Sequence, residues 1–172
     1  MAGSLVFLDE SGVNTDETRH YGRAEGGGRV HEAVPLNTPK STAILSSVRL
    51  DGETVYTTFP GGTNGERFQE YLRNHLLASL RPGDIVIMNN LRVHKMQGVR
   101  EIIESAHASV VYLPPYSPDL NPIEQMRSKI KACLRSAKAR TVDALLVAIP
   151  WAFRQVSAND VAGWFSCSGY VR

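Results

Sequence analysis

The chain has 172 residues, of which 42% are apolar and 21% charged, and its formal net charge is +2. This length and composition indicate a single globular domain, residues 1–172, rather than a disordered segment. No apolar run approaches the roughly 18 residues of a membrane span, and the N-terminal run lacks the basic flank of a signal peptide. We therefore expect no membrane partner. The two cysteines are far apart in sequence, which favours free thiols in a cytoplasmic protein.

The first third of the chain predicts strands. Residues 5–8 form a short apolar run that stops at the sequence Asp-Glu-Ser-Gly, which predicts a strand ending in a turn. Residues 19–40 mix glycines with short extended pieces and predict a loose hairpin. Two β-rich segments, Thr42–Arg49 and residues 53–59, flank Asp51-Gly52, which is a strong hairpin signal.

Helices and strands alternate after this point. Thr63 and Glu66 have the spacing of a capping box, which predicts a helix to about residue 80. Its predicted apolar face comprises Phe68, Tyr71, Leu72, His75 and Leu76. The continuously apolar run Ile85–Met88 predicts a central strand buried on both faces. The remaining predicted elements are a helix at 95–106, a strand at 109–113, and helices at 122–135 and from 141 to a break at Pro150. This order predicts a mixed α/β sheet with helices on its faces.

Three polar residues fall at predicted strand ends or helix starts on one edge of this sheet: Asp9, Asn89 and Glu124. Ligands of open α/β sheets bind beyond the strand ends, so this edge is the candidate site. A purely structural role is also open for Glu124. Asn121 can cap the helix that begins at Pro122, and Glu124 could complete that cap.

Basic residues are concentrated near the C-terminal third. Residues 122–140 contain one acid and six basic side chains. Such a local surplus of positive charge suits a polyanionic partner. A solvated helix face is the alternative explanation, and charge alone favours that alternative.

Four sequence blocks together resemble one family. They are FLDESG at 7–12, YGRA at 21–24, LRPGDIVIM at 80–88 with the following Asn-Leu and His-Lys, and YLPPYSPDLNPIEQ at 112–125. With Gly-Trp-Phe at 163–165 and Gly-Tyr at 169–170, they resemble the catalytic domain of bacterial insertion-sequence transposases of the mariner-like DDE superfamily. The resemblance covers nearly the whole chain, and the block at 112–125 is highly specific. It implies a ribonuclease-H-like fold, with a mixed five-stranded sheet flanked by helices.

The resemblance also implies the chemistry. In this family two aspartates and a glutamate hold two divalent ions, Mg²⁺ or Mn²⁺, which act in phosphodiester cleavage and strand transfer. The corresponding positions here are Asp9, Asn89 and Glu124, and the 34 residues between Asn89 and Glu124 match the family spacing. Asparagine lacks the negative charge of aspartate, and its NH₂ group cannot face a metal. We therefore expect cleavage by this chain to be strongly impaired or absent.

Arg127 is a second departure, because the family usually has an aromatic residue at this position. Glu124 and Arg127 are three residues apart on a predicted helix, close enough to pair. We hypothesise that the guanidinium of Arg127 engages Glu124 and competes with metal. Two losses at one site favour a decaying natural copy, and a deliberate substitution at Asn89 remains an alternative.

Several neighbours complete the candidate site. His94 matches a family histidine and either orients the site or contacts substrate, although a packed structural histidine is equally compatible. Asn90 fits the family pattern, and Asp119 is close to Glu124 but suits a turn or cap. The basic residues that we predict to contact DNA phosphates are Arg92, Lys95, Lys129, Lys131 and Arg135.

The implied partners are transposon ends and target DNA, with a homodimer in the synaptic complex. Family members carry a helix-turn-helix module before the catalytic domain, so a separately encoded half is a further implied partner. The implied location is the bacterial cytoplasm, at the nucleoid when bound to DNA. A non-catalytic DNA-binding or dimerising remnant that modulates an active transposase is the alternative. A ribonuclease or resolvase of the same fold is less favoured, because the block at 112–125 is typical of transposases.

Overall fold

The computed structural model describes residues 2–15, 26 and 41–171 of the protein. Its strands are β1 (Leu5–Val13), β2 (Thr42–Arg49), β3 (Thr54–Pro60), β4 (Ile85–Met88) and β5 (Ser109–Tyr112). They form one sheet in the order β3-β2-β1-β4-β5. The β1–β2 and β2–β3 pairs are antiparallel, whereas β1–β4 and β4–β5 are parallel. The mixed sheet is the one that the sequence predicts.

Helices cover both faces of this sheet. They are α1 (Gly65–Tyr71), α2 (Val99–Glu104), α3 (Ile123–Ala137), α4 (Val142–Arg154) and α5 (Ala158–Cys167). A π-helical turn, Leu72–Leu76, and a short 3-10 turn, Leu77–Ser79, extend α1. Among the described residues, no helix is long and apolar enough to cross a membrane.

The alternation of side chains along β1 builds two hydrophobic cores. Val6 and Leu8 lie in the core that includes Phe68 of α1, whereas Phe7 lies in the core that includes Met126 of α3. Successive side chains of a strand point to opposite faces, which explains this division. The same alternation directs the side chain two residues beyond Phe7 towards α3.

The predicted end of the first strand was wrong. The sequence predicts a turn at residues 9–12, but β1 continues to Val13 because it pairs antiparallel with β2 over its length, from Val6 opposite Arg49 to Val13 opposite Thr42. Ladder hydrogen bonds to a long partner strand outweigh the low strand propensity of the acidic residues. Predicted strands Thr42–Arg49 and Ile85–Met88 are confirmed at both ends. The predicted hairpin at 19–40 falls almost entirely outside the described residues.

The predicted start of the first helix was also wrong. Asn64, not Thr63, is the N-cap, and its side chain accepts a hydrogen bond from the backbone N–H of Arg67 at 2.9 Å. The helix also widens into the π turn, which changes which side chains face inward. His75, predicted to be on the buried face, is therefore exposed, while Leu76 is buried.

Two boundaries and one helix cap later in the chain differ from prediction. The helix expected at 95–106 starts at Val99, because Gly98 adopts a positive φ of 94° that breaks the preceding turn. The side chain of Asn121 makes no capping hydrogen bond to α3. Helix α4 runs through Pro150, and the buried residues Ile149 and Phe153 on either side hold it against the core despite the missing N–H.

A buried ion pair, which the sequence did not predict, joins β2 to the start of β4. The Arg49 guanidinium donates to both Asp84 oxygens, at 2.8 and 2.6 Å, and both side chains are at most 4% exposed. Burial by itself raises the pKa of Asp84, but the hydrogen bonds from Arg49 and from the backbone of Arg81 outweigh it and hold that pKa below its ordinary value. The bidentate pair therefore fixes the edge from which β4 starts.

Replacing Asp84 with Asn should lower the free energy of unfolding by about 3–5 kcal/mol, because the buried Arg49 charge loses its buried partner and keeps only the partly exposed Glu53, at 3.5 Å, as a counter-ion. The exposed Asp51, which pairs with Arg81 at 3.2 Å, offers a matched control. Asp51→Asn should cost about 1 kcal/mol or less. Urea unfolding of wild type, Asp84→Asn and Asp51→Asn measures the two changes in the free energy of unfolding. Equal changes would contradict the stabilising role of the buried pair.

Candidate active site

The parallel register of β1 and β4 brings the first two candidate residues together. Leu8 lies opposite Met88 in the last register pair of the two strands, and Asp9 and Asn89 follow it. The Asn89 Nδ2 donates to Asp9 Oδ1 at 3.0 Å. The Asp9 side chain is only 1% exposed. A contact across 80 residues of sequence thus depends on one strand register.

Helix α3 supplies the third candidate. Its apolar stripe, which includes Ile123 and Met126, is buried against the sheet, so the first turn of the helix stands over β1. Arg127 Nη1 donates to Glu124 Oε1 at 3.1 Å and to Asp9 Oδ2 at 2.7 Å. The predicted pairing of Arg127 with Glu124 is present, and the contact with Asp9 adds to it. One guanidinium nitrogen therefore bridges two of the three candidate residues.

Burial dominates the electrostatics of the two acids. It raises the pKa of Asp9 above its ordinary value, while the Arg127 cation and the Glu10 backbone N–H act in the opposite direction. Burial also raises the pKa of Glu124, Arg127 lowers it, and the neighbouring Asp9 charge raises it further. The positive charge of Arg127 offsets part of the desolvation of the two acids and of their mutual repulsion, but the pKa of each acid stays above its ordinary value.

The residues present do not fit a pair of divalent ions. Such ions need several oxygen ligands, mostly carboxylates. Here an N–H of Asn89 and an N–H of Arg127 point at the two oxygens of Asp9, and Asn89 Oδ1 is buried without a hydrogen-bond partner. Among the described residues, no group of three or more His, Cys, Asp or Glu side chains is placed to hold a metal ion.

His94 is a packed residue that supports Asn89. It is fully buried, its ring stacks on Phe68 at a centroid distance of 4.6 Å, and its Nδ1 lies 3.0 Å from the backbone oxygen of Asn89. Because a carbonyl oxygen accepts, Nδ1 carries the proton. Burial lowers the pKa of His94 below its ordinary value, which favours this neutral form. Tyr112 holds the same turn by donating from its hydroxyl to the His94 carbonyl at 2.9 Å.

A cleft of about 420 Å³ opens beside the acids. The proline-rich residues 113–118 form one wall, and Asn89, Asn90 and Glu124 form part of the other. Asn121 also lines the cleft, and it is 4% exposed with a buried, unpartnered Oδ1. Asp119 lies in an exposed 3-10 turn, Pro118–Leu120, outside the hydrogen bonds that join Asp9 to its neighbours.

The predicted DNA-contacting residues lie in two places, just after β4 and along α3. Arg92 and Lys95 are exposed just after β4, and Lys95 lies 5.8 Å from the Tyr112 ring centroid. Lys131, on α3, is close enough to lower the pKa of Glu124, and Arg135 lies in the last turn of the same helix. Lys129 instead forms an ion pair with Asp160 of α5. That pair joins two helices, a role that the basic composition of α3 did not predict.

A comparison of the sequence with models of protein families agrees with the four sequence blocks and with this geometry. A family model described as DDE superfamily endonuclease matches residues 4–146. The chain belongs to this family. A comparison with curated proteins gave no match.

Solved structures show the same fold as this DDE chain. It is similar to the Mos1 transposase paired-end complex with left transposon end, with a TM-score of 0.75 and 20% identity, over 97% of this chain and 55% of that chain. It is similar to the Mos1 mariner paired end complex with Mn, with a TM-score of 0.74 and 20% identity, over 96% and 52%. It is also similar to the catalytic domain of Mos1 mariner transposase, with a TM-score of 0.62 and 18% identity, over 97% of this chain and 81% of that chain. The chain thus spans about half the length of the Mos1 chains in the paired-end complexes.

These likenesses confirm the predicted fold class of the DDE chain. Its mixed five-stranded sheet flanked by helices matches the ribonuclease-H-like fold of the Mos1 catalytic domain. Sequence reasoning missed the contact of Arg127 with Asp9, which spans 118 residues. The sequence did place Arg127 beside the apolar stripe of α3. Because that stripe packs against the sheet, the position could have indicated that the Arg127 side chain reaches β1.

Replacing His94 with Ala should lower the free energy of unfolding by about 2–4 kcal/mol, because it opens a cavity and leaves the Asn89 carbonyl without its donor. His75→Ala is the matched control, since His75 is exposed. We expect about 1 kcal/mol or less from that change. Denaturant unfolding measures the free energy of unfolding of both variants. If His94→Ala lowers it no more than His75→Ala does, His94 is not a packed structural residue.

The Lys129–Asp160 pair predicts an acid-sensitive contribution to stability. The hydrogen bond from Lys129, with two from Ser157, lowers the pKa of Asp160 from 3.8 to about 2. A lowered folded-state pKa adds stability above the unfolded pKa and loses it as the pH falls through the folded pKa. The difference in melting temperature between wild type and Asp160→Asn should therefore shrink between about pH 4 and pH 2. A difference that stays constant over this range would contradict the shift.

Proposed function

We propose that this chain is the catalytic domain, residues 1–172, of a mariner-like bacterial insertion-sequence transposase. One observation carries the proposal. Asp9, Asn89 and Glu124 meet at one edge of a ribonuclease-H-like sheet, at the positions where the resemblance places the catalytic acids of the family. The substrates would be transposon ends and target DNA, and the reactions phosphodiester cleavage and strand transfer.

The family chemistry depends on divalent metal, and related structures are described as complexes with Mn and with Mg. Two ions, Mg²⁺ or Mn²⁺, would be the cofactors of an intact site. Asn89 supplies an amide in place of the second aspartate, and its N–H faces Asp9 instead of a cation. We therefore infer that cleavage by this chain is strongly impaired or absent.

The proposed DNA contacts lie around the cleft and along α3. Arg92 and Lys95 stand just beyond β4, next to Asn90. Lys131 and Arg135 continue the basic surface along α3, and these side chains suit phosphate groups because such contacts need charge rather than base recognition. Lys129 is also a proposed phosphate contact, and its ion pair with Asp160 would compete with that contact. A homodimer in a synaptic complex, a separately encoded helix-turn-helix half and a location at the bacterial nucleoid complete the proposal.

A second candidate function is a non-catalytic DNA-binding or dimerising remnant that modulates an active transposase. The observation that favours it is the saturation of Asp9 by two N–H donors from side chains, Asn89 and Arg127. The fold and the basic surface of α3 do not depend on metal at the acids. DNA could therefore be retained without being cut.

Nicking of a supercoiled plasmid in Mn²⁺ separates the two functions. Losing a residue that only supports a metal ligand costs about 10–100-fold in activity. Position 89 is proposed as a ligand itself, so its loss should cost at least as much. The wild-type chain should therefore nick at least about 100-fold more slowly than Asn89→Asp combined with Arg127→Trp. Wild-type activity equal to that of the double variant would refute the impairment. Adding Asp9→Asn to the double variant controls for contaminating nuclease and should abolish nicking.

A retention assay with a labelled DNA duplex in EDTA completes this experiment. If the double variant retains DNA without metal but never nicks, the remnant is the correct function. If it nicks only with Mn²⁺, the catalytic assignment stands.

A further inference from the structure

One guanidinium nitrogen occupies the space between the two acids. Arg127 Nη1 lies 2.7 Å from Asp9 Oδ2 and 3.1 Å from Glu124 Oε1. We propose that Arg127 is the resident cation of this site, which holds Asp9 and Glu124 together in place of divalent metal and excludes it. The proposal rests on the proposed function for the identity of the site, but it does not require that the chain cleave DNA.

Hydrogen bonds occupy both oxygens of Asp9. Oδ1 accepts from Asn89 Nδ2 at 3.0 Å and from the Glu10 backbone N–H at 2.8 Å, while Oδ2 accepts from Arg127. A metal ion that used Asp9 as a ligand would have to displace side-chain donors from both oxygens. The displaced N–H donors of Asn89 and Arg127 would then need other acceptors beside a side chain that is 1% exposed, and an unmade buried hydrogen bond is costly.

The charge of the site points the same way. Three ionised carboxylates would carry three negative charges, whereas Asp9, Glu124 and Arg127 together carry one when both acids are ionised. Asn89 accounts for one lost charge and Arg127 for the other. A divalent cation entering this site meets a weaker attraction from the acids and a repulsion from the guanidinium.

Packing does not require an arginine at this position. Arg127 Nε is buried without a hydrogen-bond partner. The side chain borders a small hollow that is lined by Ile44, Met126, Ile130 and Phe153 and by two serines, Ser11 and Ser46. A neutral side chain of similar length has room and apolar neighbours there. The interactions that an uncharged residue could not replace are those of Nη1 with the two acids.

The two departures from the family are therefore coupled. Restoring aspartate at 89 alone adds one acid but leaves the guanidinium between Asp9 and Glu124. Removing the guanidinium alone frees Oδ2 of Asp9 but leaves the Asn89 N–H on Oδ1. Metal binding should return strongly only when both residues change, which is a non-additive effect expected of residues that share a partner.

The test is a titration of the full chain with MnCl₂, followed by thermal unfolding. The wild type should show no saturable rise in melting temperature, and calorimetry should detect no Mn²⁺ site in it tighter than millimolar. Asn89→Asp combined with Arg127→Met should rise by about 5–10 °C at a Mn²⁺ concentration about 100 times its Kd. Adding Glu124→Gln to this double variant should remove the rise.

Two further variants separate charge from shape. Without metal, Arg127→Met should melt at a lower temperature than wild type, because Asp9 and Glu124 lose their shared counter-ion. Asn89→Asp combined with Arg127→Lys keeps the positive charge, so Mn²⁺ should not raise its melting temperature. Arg100→Met is the matched control, since Arg100 pairs with Glu104 on the surface at 3.4 Å with both side chains more than half exposed. It should change neither the melting temperature nor the Mn²⁺ response.

A saturable Mn²⁺ response of the wild type, or equal responses of Asn89→Asp and of its combination with Arg127→Met, would overturn the proposal. The calorimetric result on wild type keeps it falsifiable even if Arg127→Met does not fold. Failure of the proposed function is distinguishable. If the double variant binds Mn²⁺ but nicks no DNA, the resident cation stands and the catalytic assignment falls.

Discussion

The parallel pairing of β1 with β4 is the constraint on which the site depends. Once Leu8 lies opposite Met88, Asp9 and Asn89 follow as neighbours at the same edge of the sheet. Alternation along β1 then directs Asp9 to the side of the sheet that α3 covers, because Phe7 two residues earlier lies in that core. A slip of one residue would turn Asp9 to the opposite core and separate it from α3.

Helix α3 is held by its apolar stripe, and its polar side chains take their positions from that docking. Ile123 and Met126 are fully buried, so Glu124 and Arg127, on the adjoining side of the first turns, reach the edge of the sheet. The guanidinium of Arg127 compensates the burial of Asp9, which would otherwise be costly for an ionised carboxylate. In an ordinary DDE site divalent cations provide this compensation. In this chain the guanidinium of Arg127 lies within hydrogen-bond distance of both acids.

Much of the fold followed from local patterns in the sequence. The β-rich segment Thr42–Arg49, the apolar run Ile85–Met88 and the Asp51-Gly52 turn predict their elements through composition and turn chemistry, and all three agree with the structure. Boundaries were wrong where a distant partner or an unusual backbone decided them. Strand β1 is lengthened by pairing with β2, and α2 is shortened by the positive φ of Gly98. Neither effect is visible in the periodicity of the affected segment.

The sequence by itself determined the identity of the candidate residues: the block at 112–125 marked Glu124, the apolar run before Asn89 marked a strand end, and the spacing of Glu124 and Arg127 indicated their pairing. Only the tertiary structure decided how these residues are satisfied. The contacts of Asp9 with Asn89 and with Arg127 span 80 and 118 residues, and the Arg49–Asp84 pair spans 35. Their existence depends on strand register and helix docking, which are properties of the assembled core. The sequence therefore names the candidate residues, and the tertiary structure shows that Arg127 bridges Asp9 and Glu124.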